Sequence, residues 1–208
     1  CHTMRQAKSS ALVIDPVPEP VSLADRRSGF TRQLILDAAM RVLEENSVTQ
    51  LTMRAIAQAA GMSERTVFRH FDTRDALLDE VAAEMRRRLA LPDPPSTLAE
   101  LRIAPRALYG AFEARSRLTR AALHSELFDR LRLTQAHERW NAVRRLVDAH
   151  APRRSARERR IAAANIRYYL SASSWNYYRA YFGFTLEDTI ACAETAIRQS
   201  LAGIGLRG

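Results

Sequence analysis

Cysteine is nearly absent from this chain: Cys1 and Cys192 are the only two in 208 residues. Lying at opposite ends, they make no disulfide framework, and both are expected to be reduced. Glycine and proline are sparse too, at 7 and 8 residues. That scarcity disfavours a turn-rich β architecture, and no strand-like alternation stands out. No apolar run approaches the roughly 20 residues a membrane-spanning helix needs and no signal peptide is evident, so the expected location is cytoplasmic, without membrane association. Negative charge is in deficit, with 23 Asp and Glu against 32 Lys and Arg for a formal net charge of +9. Such an excess suits a polyanion, because cationic side chains placed on DNA release counterions. By itself it suits an anionic membrane surface equally well.

The patterns of catalysis are missing as well. His124, His137 and His150 lie too far apart to share a helical turn, and none has the i,i+4 histidine partner of a zinc helix. Neither a Gly-rich phosphate loop nor a serine elbow is present. No catalytic residue, metal or cofactor is therefore expected. Cys192 sits on an apolar helical pattern and reads as a small packed hydrophobe.

What is present is helix, and most informatively the stretch 51–78, LTMRAIAQAAGMSERTVFRHFDTRDALL. Thr52 can cap a first short helix in which Ile56 and Ala60 share a face and Ala57 permits a close crossing. Gly61 stands where the chain must turn sharply, and Met62 fills the corner. Ser63 can cap a second helix whose Val67 and Phe71 are four apart, while Glu64, Arg65, Thr66 and Arg69 occupy its other face. One stripe anchors such a helix, and the polar side chains near its N-terminus can face base edges in a major groove. For the turn alone, an αα-corner inside some helical protein is the rival reading.

With the preceding helix TRQLILDAAMRVLEEN, and with TVFRHF followed by a basic residue and ALL, residues 31–89 resemble the N-terminal domain of the tetracycline-repressor (TetR) family of transcriptional regulators. The resemblance implies that Arg54 reads a base and that Glu64, Arg65 and Thr66 touch bases or nearby phosphates. It also places phosphate contacts at Phe68, His70 and Arg74. Two residues depart from the family pattern. Phe68 stands where tyrosine is usual and lacks a phenolic donor, and Arg74 stands where lysine is usual, keeping the charge but changing its geometry. With the two capping hydroxyls, the candidate DNA-contacting set is Thr52, Arg54, Ser63, Glu64, Arg65, Thr66, Phe68, His70 and Arg74.

The remaining chain divides around this motif. Residues 1–25 contain PVPEPV with little periodicity and read as a flexible arm. Residues 26–91 form the helix-turn-helix domain, with helices expected over 31–45 and from near Thr73 to Pro92, the latter carrying Leu77, Val81, Met85 and Leu89 on one stripe. The tract Arg86 to Arg88 reads as a solvated face. PDPPS then breaks the chain, and 92–208 reads as a helical bundle. Thr97 and Glu100 have capping-box spacing, and apolar periods follow over 118–133, 136–150, 155–182 and from Thr185 onward. The expected fold is thus all-α, with about nine helices, the fourth linking the two domains. In TetR-like proteins the last two helices form the dimer interface, so the resemblance implies a homodimer.

Aromatic residues concentrate in the C-terminal part, where they either fill a core or line an apolar cavity for a small-molecule effector. Phe112, Trp140, Tyr169 and Trp175 are the candidate ligand residues by position in the pattern. Few carboxylates accompany them, which favours a neutral, anionic or aromatic ligand over a cation. The reading is a repressor that binds double-stranded palindromic operator DNA as a homodimer and is released by a small molecule. One rival keeps the DNA-binding head and makes the C-terminal domain a protein-interaction platform without a ligand. Another is a helical enzyme or lipid-surface protein.

Overall fold

The computed structural model describes residues 22–46 and 51–206. Among the described residues the chain is all helix: α1 (Leu23–Asn46), α2 (Met53–Ala60), α3 (Glu64–His70), α4 (Arg74–Leu89), α5 (Leu98–Ala114), α6 (Ser116–His124), α7 (Leu127–His150), α8 (Ala156–Tyr169), α9 (Ala172–Ala180) and α10 (Leu186–Gly203). Hydroxyl caps start most of them. Thr52, Ser63, Thr73, Thr97, Ser155, Ser171 and Thr185 each accept a backbone N–H from the first turn of the helix they precede, satisfying donors that a helix start otherwise leaves orphaned.

Three boundaries differ from the periodicity. α1 starts at Leu23, well before residue 31, because Ser22 accepts the Asp25 N–H and opens the helix there. Leu23 and Phe30 on these first turns are exposed, so no buried stripe announces them. The arm read over residues 1–25 lies outside the described residues up to 21, and 23–25 belong to α1. The apolar period over 118–133 is divided at Ser125 and Glu126, whereas α7 runs unbroken through 134–135. The long pattern over 155–182 is likewise divided, because Ser171 caps a new helix by accepting the Ser174 N–H. These divisions give ten helices where about nine were expected.

Two apolar cores follow. The first joins α1 to α4, with Ile35, Met40, Ile56, Val67, Leu77 and Val81 buried, and it also takes in Leu118 and Ala122 of α6 and Leu127 of α7. The N-terminal domain therefore shares its core with two helices from beyond the PDPPS break. The second is built from α5 and α7 to α10 around Leu101, Tyr109, Val147, Ile166, Trp175 and Ile197. Burying a side chain of this size contributes about 1.5–3 kcal/mol. Between the cores, α4 ends at Ala90, a non-glycine residue held left-handed at φ 44 and ψ 50. The tract read as solvated is only partly so. Arg87 pairs with the buried Glu84, and Arg88 bridges Glu84 to Asp37 of α1.

Candidate nucleic-acid interface and internal cavity

The turn between α2 and α3 follows from local hydrogen bonding. Gly61, at φ 66, donates to the Gln58 carbonyl at 3.1 Å, and Met62 donates to the Ala57 carbonyl at 2.9 Å. This paired pattern closes a helix on a left-handed residue. Ser63 then caps α3 through the Thr66 N–H at 3.1 Å, and its hydroxyl also shares a hydrogen bond with the Thr66 hydroxyl.

Val67 and Phe71 anchor α3, fully buried, with the Arg32 guanidinium lying 4.3 Å over the Phe71 ring. That anchoring determines which face looks outward. Glu64, Arg65, Phe68 and Arg69 on α3 are exposed, as are Thr52 and Arg54 at the start of α2 and the capping Ser63, while Thr66 and His70 are half-buried. Phe68 is 43% exposed on this outward face. The Arg32 side chain donates to the His70 carbonyl at 2.5 Å. Burial, then the charges of Arg69 and Arg32, push the His70 pKa down and favour neutral imidazole.

Arg74 faces the other way. Its guanidinium donates twice to the Leu51 carbonyl, at 3.1 and 2.8 Å, and once to Glu126 at 2.5 Å. Glu126 also accepts the Leu51 N–H at 2.7 Å. Burial works against ionising Glu126, but the hydrogen bonds from Arg74 and Leu51 prevail and hold its carboxyl below the ordinary range. The residue before the α2 cap, the first residue of α4 and the α6–α7 corner are thereby tied at one point. Nearby, Arg130 of α7 pairs with Asp75 and Asp79 of α4.

Behind this corner lies a cavity of about 630 Å³, lined by Leu89, Leu108, Phe112, Leu123, Leu131 and Trp140 among others. Its size falls in the usual range of small-molecule sites. A second cavity of about 360 Å³ adjoins it, and the two share Leu108, Arg139, Arg167 and Leu170 in their walls. Of the aromatic candidates, Phe112 and Trp140 line the larger cavity and Tyr169 and Trp175 do not. Trp175 is fully buried beside Phe112, with its indole N–H on Glu113 at 3.1 Å and Arg120 over its ring. Tyr169 offers its backbone carbonyl to the buried Tyr109 hydroxyl at 2.7 Å. Among the described residues no group of His, Cys, Asp and Glu gathers as a metal site, and no helix is long and apolar enough to cross a membrane.

Residues 35–81 match the family model described as bacterial regulatory proteins, tetR family. The chain is 39% identical over 67 residues to an uncharacterised HTH-type transcriptional regulator of Mycobacterium tuberculosis, covering 32% of this chain and 33% of the relative. It is 37% identical over 59 residues to the class D tetracycline repressor of Escherichia coli, covering 28% and 27%. These matches span about a third or less of the relatives' length. Over this segment, the N-terminal part of the chain is similar to the DNA-binding domain of the tetR family. The fold agrees over most of the chain. A putative tetR-family regulator from Mesorhizobium loti aligns with TM-score 0.53 at 18% identity, covering 85% of this chain and 97% of that one. NalD, described as the secondary repressor of the MexAB-OprM multidrug efflux pump in Pseudomonas aeruginosa, aligns with TM-score 0.54 at 20% identity, covering 85% and 96%.

Two features of this arrangement had no signal in the sequence. Glu126 is 52 residues from Arg74 and sits inside what reads as one apolar period. Of the cavity arginines, Arg86 belongs to the tract read as a solvated face, and no spacing in the sequence marks Arg139 and Arg167 as cavity residues.

Proposed function

We propose that this chain is a transcriptional repressor that binds a palindromic operator as a homodimer and is released by a small-molecule effector. The observation that carries the reading is the polarity of α3, which buries Val67 while Glu64, Arg65 and Arg69 stand outward beside Arg54 of α2. In this reading Arg54, Glu64, Arg65 and Thr66 meet base edges, and Thr52, Ser63 and His70 lie against phosphates. Phe68 offers an apolar contact in place of a phenolic donor. Arg74, held on Leu51 and Glu126, sets the angle of α2 and adds charge near the backbone. The word repressor in the names of the E. coli and P. aeruginosa proteins supports that sense of regulation.

Dimerisation is supported by the open groove between α8 and α10, where Ile161 and Tyr168 stand exposed near Ala196, Ser200 and Gly203. Two copies place two reading heads on one operator, which supplies base contacts that a single head lacks. The cavity supports an effector over a platform with a filled core. Its wall includes Arg86 and Leu89 from the last turns of α4, together with residues of α6 and α7 on either side of the Glu126 corner. A ligand that binds one arrangement of these helices more tightly shifts the population toward it and moves α4, taking the heads out of register with successive grooves.

The test is a selection of genomic fragments by the purified protein at about physiological salt, where non-specific attraction is weakened. Recovery of one inverted repeat is the expected result. Salt-sensitive binding without any consensus would sink the proposal.

A further inference from the structure

The larger cavity is mostly apolar, and the charged residues in its wall are cationic. Among the described residues its wall holds no aspartate or glutamate, and its charged members are all arginines: Arg86, Arg139 and Arg167. Two of these, Arg139 of α7 and Arg167 of α8, also line the smaller cavity, so they stand together where the two spaces meet. Backbone carbonyls hold both in place. Arg139 donates through Nη2 to the Pro92 carbonyl at 2.7 Å, and Arg167 through Nη1 to the Leu170 carbonyl at 2.6 Å.

The Pro92 carbonyl orients the Arg139 guanidinium without neutralising it. Arg139 is half-buried, and among the described residues it forms no ion pair with a carboxylate. Glu138 and Asp93 act on it only through longer-range charge, and burial is the dominant influence, pulling its pKa down. A cation placed in an apolar wall without a close counterion is costly to the free protein, and an anion brought alongside relieves that cost. A guanidinium has five N–H donors in a planar fork that matches a carboxylate, so Arg139 keeps donors to offer after its bond to Pro92.

Resting on the effector reading above, we propose that this cavity binds an amphipathic anion, with a carboxylate headgroup at Arg139 and Arg167 and an apolar body against Phe112, Leu131 and Trp140. The larger cavity then holds the body of the ligand. A cationic amphiphile of the same shape is disfavoured, because it meets the like charge of Arg139 and Arg167 and finds no carboxylate in the larger cavity's wall, Asp93 and Glu100 lining only the smaller one.

Three probes with one decyl chain and different headgroups test this: decanoate, decanol and decyltrimethylammonium. Each is titrated calorimetrically into the full chain at neutral pH, below its aggregation limit. Decanoate is expected to bind about tenfold or more tighter than decanol, and the ammonium weakest. Arg139→Gln, with Arg167→Gln as a second variant, is expected to lower decanoate to the affinity of decanol while leaving decanol unchanged. Equal affinity of decanoate and decanol for the native chain overturns the proposal, as does binding of none of the three. So does a carboxylate preference that survives in both variants. Should either variant fail to fold, the headgroup ranking on the native chain decides. Release of a selected operator fragment, measured alongside, separates the two readings. Tight decanoate binding without release removes the effector reading and keeps the anion site, whereas equal release by decanoate and decanol removes the anion site and keeps the effector.

Discussion

Single side chains do three different jobs in the reading head, and substitution separates them. Arg54 is exposed and joins no ion pair among the described residues, so Arg54→Ala is expected to leave the fold alone. It should cost about 1–3 kcal/mol of operator binding while changing random-sequence binding far less. Equal losses on both DNAs, measured by fluorescence anisotropy, would rule out base reading. Gly61 does a backbone job. Nothing lies within 4 Å of a Cβ added there, yet its φ is 66, so Gly61→Ala meets no clash and carries only the left-handed penalty of about 1 kcal/mol in thermal stability. A loss several times larger would mean that packing, not φ, governs the turn. The Gly61 turn was legible in advance, because it depends on residues within one turn of chain. The inward aim of Arg74 was not, since its partner Glu126 is distant in sequence.

At the scale of helices, charge clusters hold α4 in place at both ends. Near its C-terminal end, Glu84 is buried and accepts from Arg87 and Arg88, while Arg88 continues to Asp37 of α1. The Arg87 hydrogen bond is the main reason its pKa falls from 4.5 to about 2, overcoming a burial effect that acts in the opposite direction. A carboxylate whose pKa is lower folded than unfolded stabilises the protein fully above its unfolded value and loses that contribution as pH falls through the folded one. The window therefore runs from about pH 4.5 down to about 2. Because Arg87 is mostly exposed, solvent screening reduces the effect to on the order of 1–3 kcal/mol. Glu84→Gln is expected to lose about that much at neutral pH and to flatten the denaturation profile in that window. An unchanged profile would show the cluster to be inert. At the N-terminal end, Arg74→Ala leaves Glu126 three-quarters buried without its ion-pair partner, so stability and binding to every DNA sequence should fall together by about 1–3 kcal/mol. A loss confined to the operator would instead make Arg74 a base reader.

The whole molecule is expected to work as two copies joined along α8 and α10. Ile161 is 46% exposed in the isolated chain, so Ile161→Arg disturbs little within the protomer but places a charge in the proposed interface. Sedimentation should then show monomers with unchanged helical content and much weaker operator binding. A variant that remains dimeric would move the interface elsewhere, with the exposed Tyr177, Tyr181 and Phe182 the next surface to test. The shared core of α1 to α4 with α6 and α7 makes the two domains mechanically continuous. The cavity walled by α4, α6 and α7 therefore adjoins the same core that holds the helix-turn-helix.

The sequence by itself determined what rests on local rules. Hydroxyl caps, the Gly61 turn, the four-residue spacing of Val67 and Phe71, and the proline break after α4 each act within a few residues, and together they specify helices, the helix-turn-helix and the end of α4 before PDPPS. Tertiary structure decided the rest, because it brings together groups that no short-range pattern links. The division of α6 from α7 places Glu126 on Leu51 and Arg74, the burial of Trp175 removes it from the cavity wall, and the approach of α7 to α8 gathers Arg139 and Arg167 in that wall. Apolar periodicity shows that a helix has an inside, and only the packed neighbours determine whether that inside is core or cavity.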